Sequence, residues 1–244
     1  MNLTIPNKEE FIDTFIGNLA RVSDTGVLEC VNDTISCKTK AGDDTVIIHS
    51  VIKIPTVFTE PVKLNIPDFK KLQKLLSTTT DADLELVCDR NSISYKGKSV
   101  RFKFHLYDDG VISIPRINIE KLNSVPFDST FTVNGSSLAQ LMKGSCMLMD
   151  VPKFYLSSEG NIVRGEIADH ARDNVDSFCC EVSTDFTGKQ LEGKVPLNIE
   201  FLKLVSTLKT SMFKVRCASS LNVFAFDIQT SCINTTYIVT ALRS

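Results

Sequence analysis

The chain repeats itself. Residues 62–77 read Val-Lys-Leu-Asn-Ile-Pro-Asp-Phe-Lys-Lys-Leu-Gln-Lys-Leu-Leu-Ser, and residues 195–209 read Val-Pro-Leu-Asn-Ile-Glu-Phe-Leu-Lys-Leu-Val-Ser-Thr-Leu-Lys. Both place Leu-Asn-Ile ahead of apolar residues at helical spacing. A short alternating segment follows each, Leu84–Cys88 in the first and Phe213–Cys217 in the second. Two further strand patterns come next: Ser92–Tyr95 and Val100–Tyr107 in one copy, Asn222–Asp227 and Thr235–Leu242 in the other. A second pair of helix patterns, Lys8–Ala20 and Ser136–Cys146, opens each half. The first leads into Gly26–Cys30, Thr34–Lys38 and Thr45–Lys53, the second into Lys153–Ser157, Ile162–Ile167 and Phe178–Ser183. The 244 residues therefore read as four copies of a helix followed by about three strands. A copy of about 60 residues is too small to bury a good core alone, so pairs of copies should share one. The expected layout is an N-terminal domain at 1–110, a connector at 111–121 and a C-terminal domain at 122–244. The linking stretch Asp108–Lys121 starts with Asp-Asp-Gly and has Pro115 at its middle.

Each helix pattern carries one apolar stripe, for example Phe69, Leu72, Leu75 and Leu76, or Ile199, Leu202, Val205 and Leu208. A stripe of that kind must be laid on a sheet. The expected fold class is α+β, two similar domains that each double a helix-plus-antiparallel-strands unit, with helices on one face of the sheets.

The net charge is −2, from 27 Lys and Arg against 29 Asp and Glu, which excludes a globally basic nucleic-acid binder. The distribution is uneven. The helix segments 7–20, 67–77, 134–146 and 198–210 hold seven lysines and five carboxylates, so they are net positive and the remainder is net negative. Beyond their first turns, the last three expose only lysine. A basic helical layer and an acidic sheet shell point to a polyanion on the helical side. The competing reading is that these lysines only solubilise exposed faces. Glu9, Glu10 and Asp13 on the first helix favour that second reading. No aromatic residue interrupts the lysines, so stacking on single-stranded bases is not indicated. No helix rich in Arg, Asn and Gln is present to read base edges, so phosphate contacts of low sequence specificity are the expectation.

Taken together, the fourfold helix-plus-strands unit, the two Leu-Asn-Ile helices, the Asp108–Lys121 connector and the closing Thr235-Thr236-Tyr237-Ile238-Val239-Thr240-Ala241-Leu242 segment resemble the DNA polymerase sliding clamps. These include proliferating cell nuclear antigen and the clamps of tailed phages. The resemblance covers the whole chain. The stop at Ser244 without an acidic tail is closer to the phage type, which implies a cytoplasmic protein, in the host cell if phage-encoded. Membership implies a closed homotrimeric ring with helices on its inner wall. Such a ring encircles duplex DNA, slides, tethers a replicative polymerase as a processivity factor, and is opened by an ATP-dependent clamp loader. It is not a catalyst and uses no cofactor or metal.

The resemblance also implies residues. By position on the helices, Lys70, Lys71, Lys74, Lys143, Lys203 and Lys209 would face DNA, with Lys8 and Arg21 beside them. Attraction to phosphates that is nearly independent of position is what sliding requires. Ring closure would join the Val100–Tyr107 strand, with Arg101, Phe102, Lys103 and Phe104, to Asp176–Ser183 of the next copy, with Asp176, Phe178, Cys180 and Glu181. That would cover two exposed edges. Arg101 and Lys103 on one strand and Asp176 and Glu181 on the other make charge complementarity available. A partner peptide would dock between Val111, Ile112, Ile114 and Ile117 of the connector and Thr240, Ala241 and Leu242.

Two other classes compete. One is a monomeric DNA-binding processivity factor that never closes a ring. The other is a metal-dependent enzyme using the Asp/His cluster at 169–176, against which stands the plainer reading of a polar loop between strands. No nucleophile elbow and no Walker-type phosphate loop occurs. The eight cysteines, at 30, 37, 88, 146, 179, 180, 217 and 232, form no C-x-x-C pair and read as reduced thiols. No apolar run approaches the roughly 20 residues that span a bilayer.

Overall fold

The computed structural model describes residues 1–115, 124–148, 151–170, 176–208 and 212–242. The chain forms two compact units, Met1–Ile117 with Gln229–Thr235, and Asn118–Ile228 with Thr236–Ser244. The end of the chain thus returns a short segment, 229–235, to the first unit.

The first unit runs β1 (Asn2–Ile5), a π-helical stretch (Glu10–Ile16), α1 (Gly17–Val22), β2 (Gly26–Lys40), β3 (Val46–Ile66), α2 (Phe69–Ser77), β4 (Leu84–Cys88), β5 (Ser92–Lys96) and β6 (Arg101–His105). The π stretch is a departure from the single α-helix expected at 8–20. Its wider turn lets Phe11, Ile12, Phe15 and Ile16 all enter the core, with Phe11 and Phe15 stacked at 5.5 Å. β2 is continuous in hydrogen bonding yet doubles back on itself. Asn32 takes φ 54°, a left-handed conformation that asparagine tolerates, and Thr34 Oγ1 donates to Val31 O at 2.9 Å. As a result Thr39 Oγ1 reaches Thr25 O at 3.4 Å. The expected strands Gly26–Cys30 and Thr34–Lys38 are the two arms of this one element.

The second unit runs β7 (Ser129–Asn134), α3 (Gly135–Ser145), β8 (Lys153–Glu159), β9 (Ile162–Ala168), β10 (Ser177–Ser183), β11 (Thr187–Gly188), β12 (Val195–Asn198), α4 (Ile199–Ser206), β13 (Met212–Ala218), β14 (Val223–Gln229) and β15 (Ile233–Thr240). One sheet has the order β10-β9-β8-β12; β11-β7-β13-β14-β15 form the other. In the first unit β1-β4-β5-β6 make one sheet, and β2 pairs with β3. The pairs β1–β4, β4–β5, β5–β6, β2–β3, β9–β10, β8–β9, β8–β12, β7–β13 and β13–β14 are all antiparallel. The fold is α+β.

Asp68, Asn134 and Asn198 start the three later helices. Their side chains accept from the backbone N–H of Lys71, Ser136 and Glu200 at 2.8, 2.9 and 2.9 Å. Each cap contributes about 1 kcal/mol. The twin Leu-Asn-Ile triplets therefore do different work. Asn198 is a cap, whereas Pro67 and Asp68 intervene in the first copy and release Asn65 for another bond.

The repeat is retained at the level of register. Cys37 faces Ser50 and Lys38 faces His49 in the first unit; Gly165 faces Cys180 and Glu166 faces Cys179 in the second. Likewise Leu86 faces Tyr95, and Val215 faces Phe226. The segment 46–53 of β3 is thus the counterpart of β10, and β6 is the counterpart of β15.

Candidate nucleic-acid interface and edge strands

In each unit the helices pack against one another, the π stretch and α1 with α2, and α3 with α4. α2 buries Phe69, Leu72 and Leu76, which leaves Lys70, Lys71 and Lys74 exposed. α3 buries Leu138, Leu141 and Gly144 and exposes Lys143; α4 buries Ile199, Phe201, Leu202 and Val205 and exposes Lys203. Arg21 is exposed at the end of α1, with Asn18 Oδ1 at 3.4 Å. The amphipathic stripes fix these directions, as the sequence requires.

The candidates are not equivalent. Lys70 pairs with Asp24 at 2.8 Å, and that hydrogen bond raises its pKa. Lys203 pairs with Glu200 at 2.7 Å. Lys8 is half-buried and donates to Thr79 O at 2.8 Å, at the end of α2. Its ammonium is held by a carbonyl two residues past α2, a partner that helical position alone does not reveal. Lys71, Lys74 and Lys143 carry no ion pair among the described residues. Lys209 lies outside the described residues.

Two edge strands stand open. β6 pairs only with β5, and β10 only with β9, among the described residues. On β6, Arg101, Lys103 and His105 are exposed, Phe102 is half-buried and Phe104 is buried. On β10, Ser177, Cys179 and Glu181 are exposed, while Phe178 and Cys180 are half-buried. Asp176 precedes β10, and strand alternation does not set it on the face of Glu181, so only Glu181 shares a face with Cys179. Phe178 lies over Gly144, where a Cβ would come within 2.1 Å of its ring.

The counterparts of these edges meet within the first unit. Lys53 N donates to Cys232 O at 2.9 Å, and the Ser50 and Thr235 hydroxyls share a buried 2.7 Å bond. Glu10 receives Thr230 Oγ1, Ser231 Oγ at 3.4 Å and Cys232 Sγ at 3.3 Å. Sequence reading passed over Glu10 because its partners stand some 220 residues away.

The start of the connector is anchored. Tyr107 N donates to Asn65 O at 3.0 Å, Asn65 Nδ2 donates to Asp109 Oδ1 at 2.9 Å, and Arg90 pairs with Asp109 at 3.2 Å. Ile112 and Ile114 line a cavity of about 820 Å³ in the first unit, together with Val27, Val62, Asn65 and Met1. Val111 is 61% exposed and is not part of it. Ile117 lies outside the described residues. Thr240, Ala241 and Leu242 belong to the second unit, where Ala241 N donates to Asn222 O and Leu242 N to Pro196 O, each at 2.9 Å.

In the 169–176 segment, residues 171–175 lie outside the described residues. His170 meets Glu166 at 3.3 Å and the Tyr155 ring edge-on at 4.6 Å, and Lys194 reaches Glu166 at 2.5 Å. Glu166 is thereby paired with the Lys194 ammonium. Among the described residues no group of three His, Cys, Asp or Glu could hold a metal ion. All eight cysteines are free; burial pushes the Cys30, Cys88 and Cys217 thiols up to about 12. No described helix is long and apolar enough to cross a membrane.

No family model matches the chain, and no curated protein does. Solved structures do. The chain is similar to A. fulgidus PCNA, in a structure with the C-terminal region of FEN-1 bound, at TM-score 0.79 and 12% identity, covering 100% of this chain and 98% of that one. It is similar to a putative DNA polymerase III beta subunit from Eubacterium rectale at TM-score 0.75 and 11% identity, covering 100% of this chain and 66% of that one. It is similar to proliferating cellular nuclear antigen from Entamoeba histolytica at TM-score 0.74 and 12% identity, covering 99% and 98%. The fold is that of the sliding clamps.

Proposed function

We propose that the chain is a sliding clamp: a homotrimeric ring that encircles duplex DNA, tethers a replicative polymerase as its processivity factor and is opened by an ATP-dependent loader. The observation that carries this reading is the clamp fold over the full chain, at TM-scores of 0.73–0.79. Two open edges support ring closure, because β6 and β10 are counterparts of strands that the chain already joins around Ser50 and Thr235. Three copies of a chain with two clamp-like units, at 1–110 and 122–244, give the six units of a ring. Exposed Lys70, Lys71, Lys74, Lys143 and Lys203, with Arg21, supply attraction to phosphates without base reading. Lys209 belongs to the same proposed set. Its role is that of a scaffold in the cytoplasm, and it catalyses nothing itself. The connector at 111–121, with Ile112 and Ile114 turned to the first unit, and the Thr240–Leu242 end are the proposed docking elements for partner peptides.

The test is the charge-reversed variant Lys70→Glu, Lys74→Glu, Lys143→Glu, assayed for loading onto circular DNA and for processive synthesis with the cognate polymerase. Loss of both with an unchanged melting temperature is expected. Unimpaired synthesis would refute the channel assignment.

A further inference from the structure

The helical layer holds its positive charge unevenly. The starts of α2 and α4 align through their caps, Asp68 with Asn198. They align again through the bond behind each cap: Phe69 N donates to Asp24 O at 2.7 Å, and Ile199 N donates to Pro152 O at 3.0 Å. Lys70 therefore stands where α4 has Glu200, Lys71 where it has Phe201, and Lys74 where it has Leu204. Phe201 is buried and Leu204 half-buried, so neither place is open to a charge. Lys203 takes the place of Gln73. The first unit thus sets three lysines on this helix, and the second sets one.

Each helix start also carries a carboxylate that meets a lysine, and the two units bring it there by different routes. In the first unit it is Asp24, which precedes β2 and meets Lys70 at 2.8 Å. Its backbone is fixed by the bond from Phe69 N, so the carboxylate is placed by the chain and not by the lysine. In the second unit Pro152 occupies the place of Asp24, and Glu200 of the helix itself meets Lys203 at 2.7 Å. Asp68 is committed to the Lys71 N–H as the cap. Both pairs are open to solvent: the lysines are 62% and 51% exposed, and the carboxylates 69% and 63%. Lys71, Lys74 and Lys143 have no such partner among the described residues, and Arg21 meets only the neutral Asn18 amide.

Resting on the reading that this layer faces duplex DNA, we infer that Asp24 and Glu200 are built-in competitors of the DNA phosphates: they hold Lys70 and Lys203 in neutral pairs and leave the attraction to Lys71, Lys74, Lys143 and Arg21. A neutral pair brings no net charge to the duplex and releases no counter-ions from it. A phosphate that takes Lys70 must first displace Asp24. An exposed ion pair shifts such an exchange by only about two- to fivefold, so the carboxylates moderate the contact without forbidding it. Contacts that are weak and readily exchanged suit a ring that must not stop at any one phosphate. Asp24 and Glu200 therefore set the strength of the grip, and neither touches DNA itself.

The test is binding of the full chain to a short linear duplex with free ends, which needs no loader, followed by fluorescence anisotropy across a salt series. Asp24→Asn and Glu200→Gln are isosteric changes at exposed positions, and each releases one lysine. Each should tighten binding about two- to fivefold. Each should also steepen the fall of log K with log salt by about 0.9 for every copy that contacts the duplex. Removing a whole pair, as Asp24→Asn with Lys70→Gln or Glu200→Gln with Lys203→Gln, should leave affinity and slope as in the parent. Lys71→Gln with Lys74→Gln should weaken binding and flatten the slope. A paired deletion that weakens binding as much as Lys71→Gln alone would show that Lys70 or Lys203 already holds phosphate unopposed, and would overturn the inference. So would the absence of any gain from Asp24→Asn and Glu200→Gln while Lys71→Gln with Lys74→Gln still weakens binding. Unchanged binding in that last variant would instead refute the helical layer as the face that meets DNA, and with it the reading on which the inference rests.

Discussion

Ser50 and Thr235 lie 185 residues apart and share a hydrogen bond of 2.7 Å, with both side chains buried. It ties the 46–53 segment of β3 to the start of β15 within the first unit. Removing one hydroxyl strands the other in an apolar site, which costs about 1–3 kcal/mol, whereas replacing both loses far less. Ser50→Ala and Thr235→Val should each lower stability in urea titrations by about that amount. The double variant should fall well short of the sum. Additive losses would mean that the two hydroxyls do not depend on one another.

Gly144 is buried beneath Phe178, and a methyl group there would sit 2.1 Å from the ring. Gly144→Ala should cost about 1–3 kcal/mol through overpacking. Most of that loss should return when Phe178→Ala is added, since the ring is the obstacle. The check is a calorimetric melting series over the four proteins.

Asp109 holds the start of the connector to Asn65 and Arg90. Asn65→Ala should free that segment, and limited proteolysis should then cut near 110–115 several times faster than in the parent chain. Arg90→Ala should do little, because its pair with Asp109 is exposed and worth at most about 1 kcal/mol. Equal protection of the connector in the Asn65→Ala protein would count against the anchor.

His49 carries a pKa below its ordinary value, through burial first and then the charge of Lys38. The fold therefore favours neutral imidazole. That contribution is complete above the ordinary histidine value of about 6.5 and is lost progressively as the pH falls from there toward the lower folded value. Urea midpoints should decline between pH 7.5 and 5, and the decline should be shallower in His49→Gln. A parallel decline in both proteins would assign the acid sensitivity to other groups.

Much of the fold is legible in the residues, because amphipathic stripes and strand alternation depend on burial alone. Phe69, Leu72 and Leu76 announce α2, and Leu84, Leu86 and Cys88 announce β4. The π stretch at 10–16 is not legible, since its apolar residues satisfy an α pattern equally well. Nor is the hairpin hidden inside β2, which depends on a left-handed Asn32. The lysines of α2, α3 and α4 are legible as exposed, but their partners are not. Asp24 stands 46 residues before Lys70, and Thr79 stands 71 after Lys8. Such pairings are set by tertiary approach and leave no mark at local spacing.

The most direct test is the mass in solution, by light scattering across a range of protein concentrations. The account predicts a particle near three times 27.1 kDa that persists on dilution or dissociates only at the lowest concentrations. A particle of 27.1 kDa at every concentration would contradict it and would favour a processivity factor that never closes a ring.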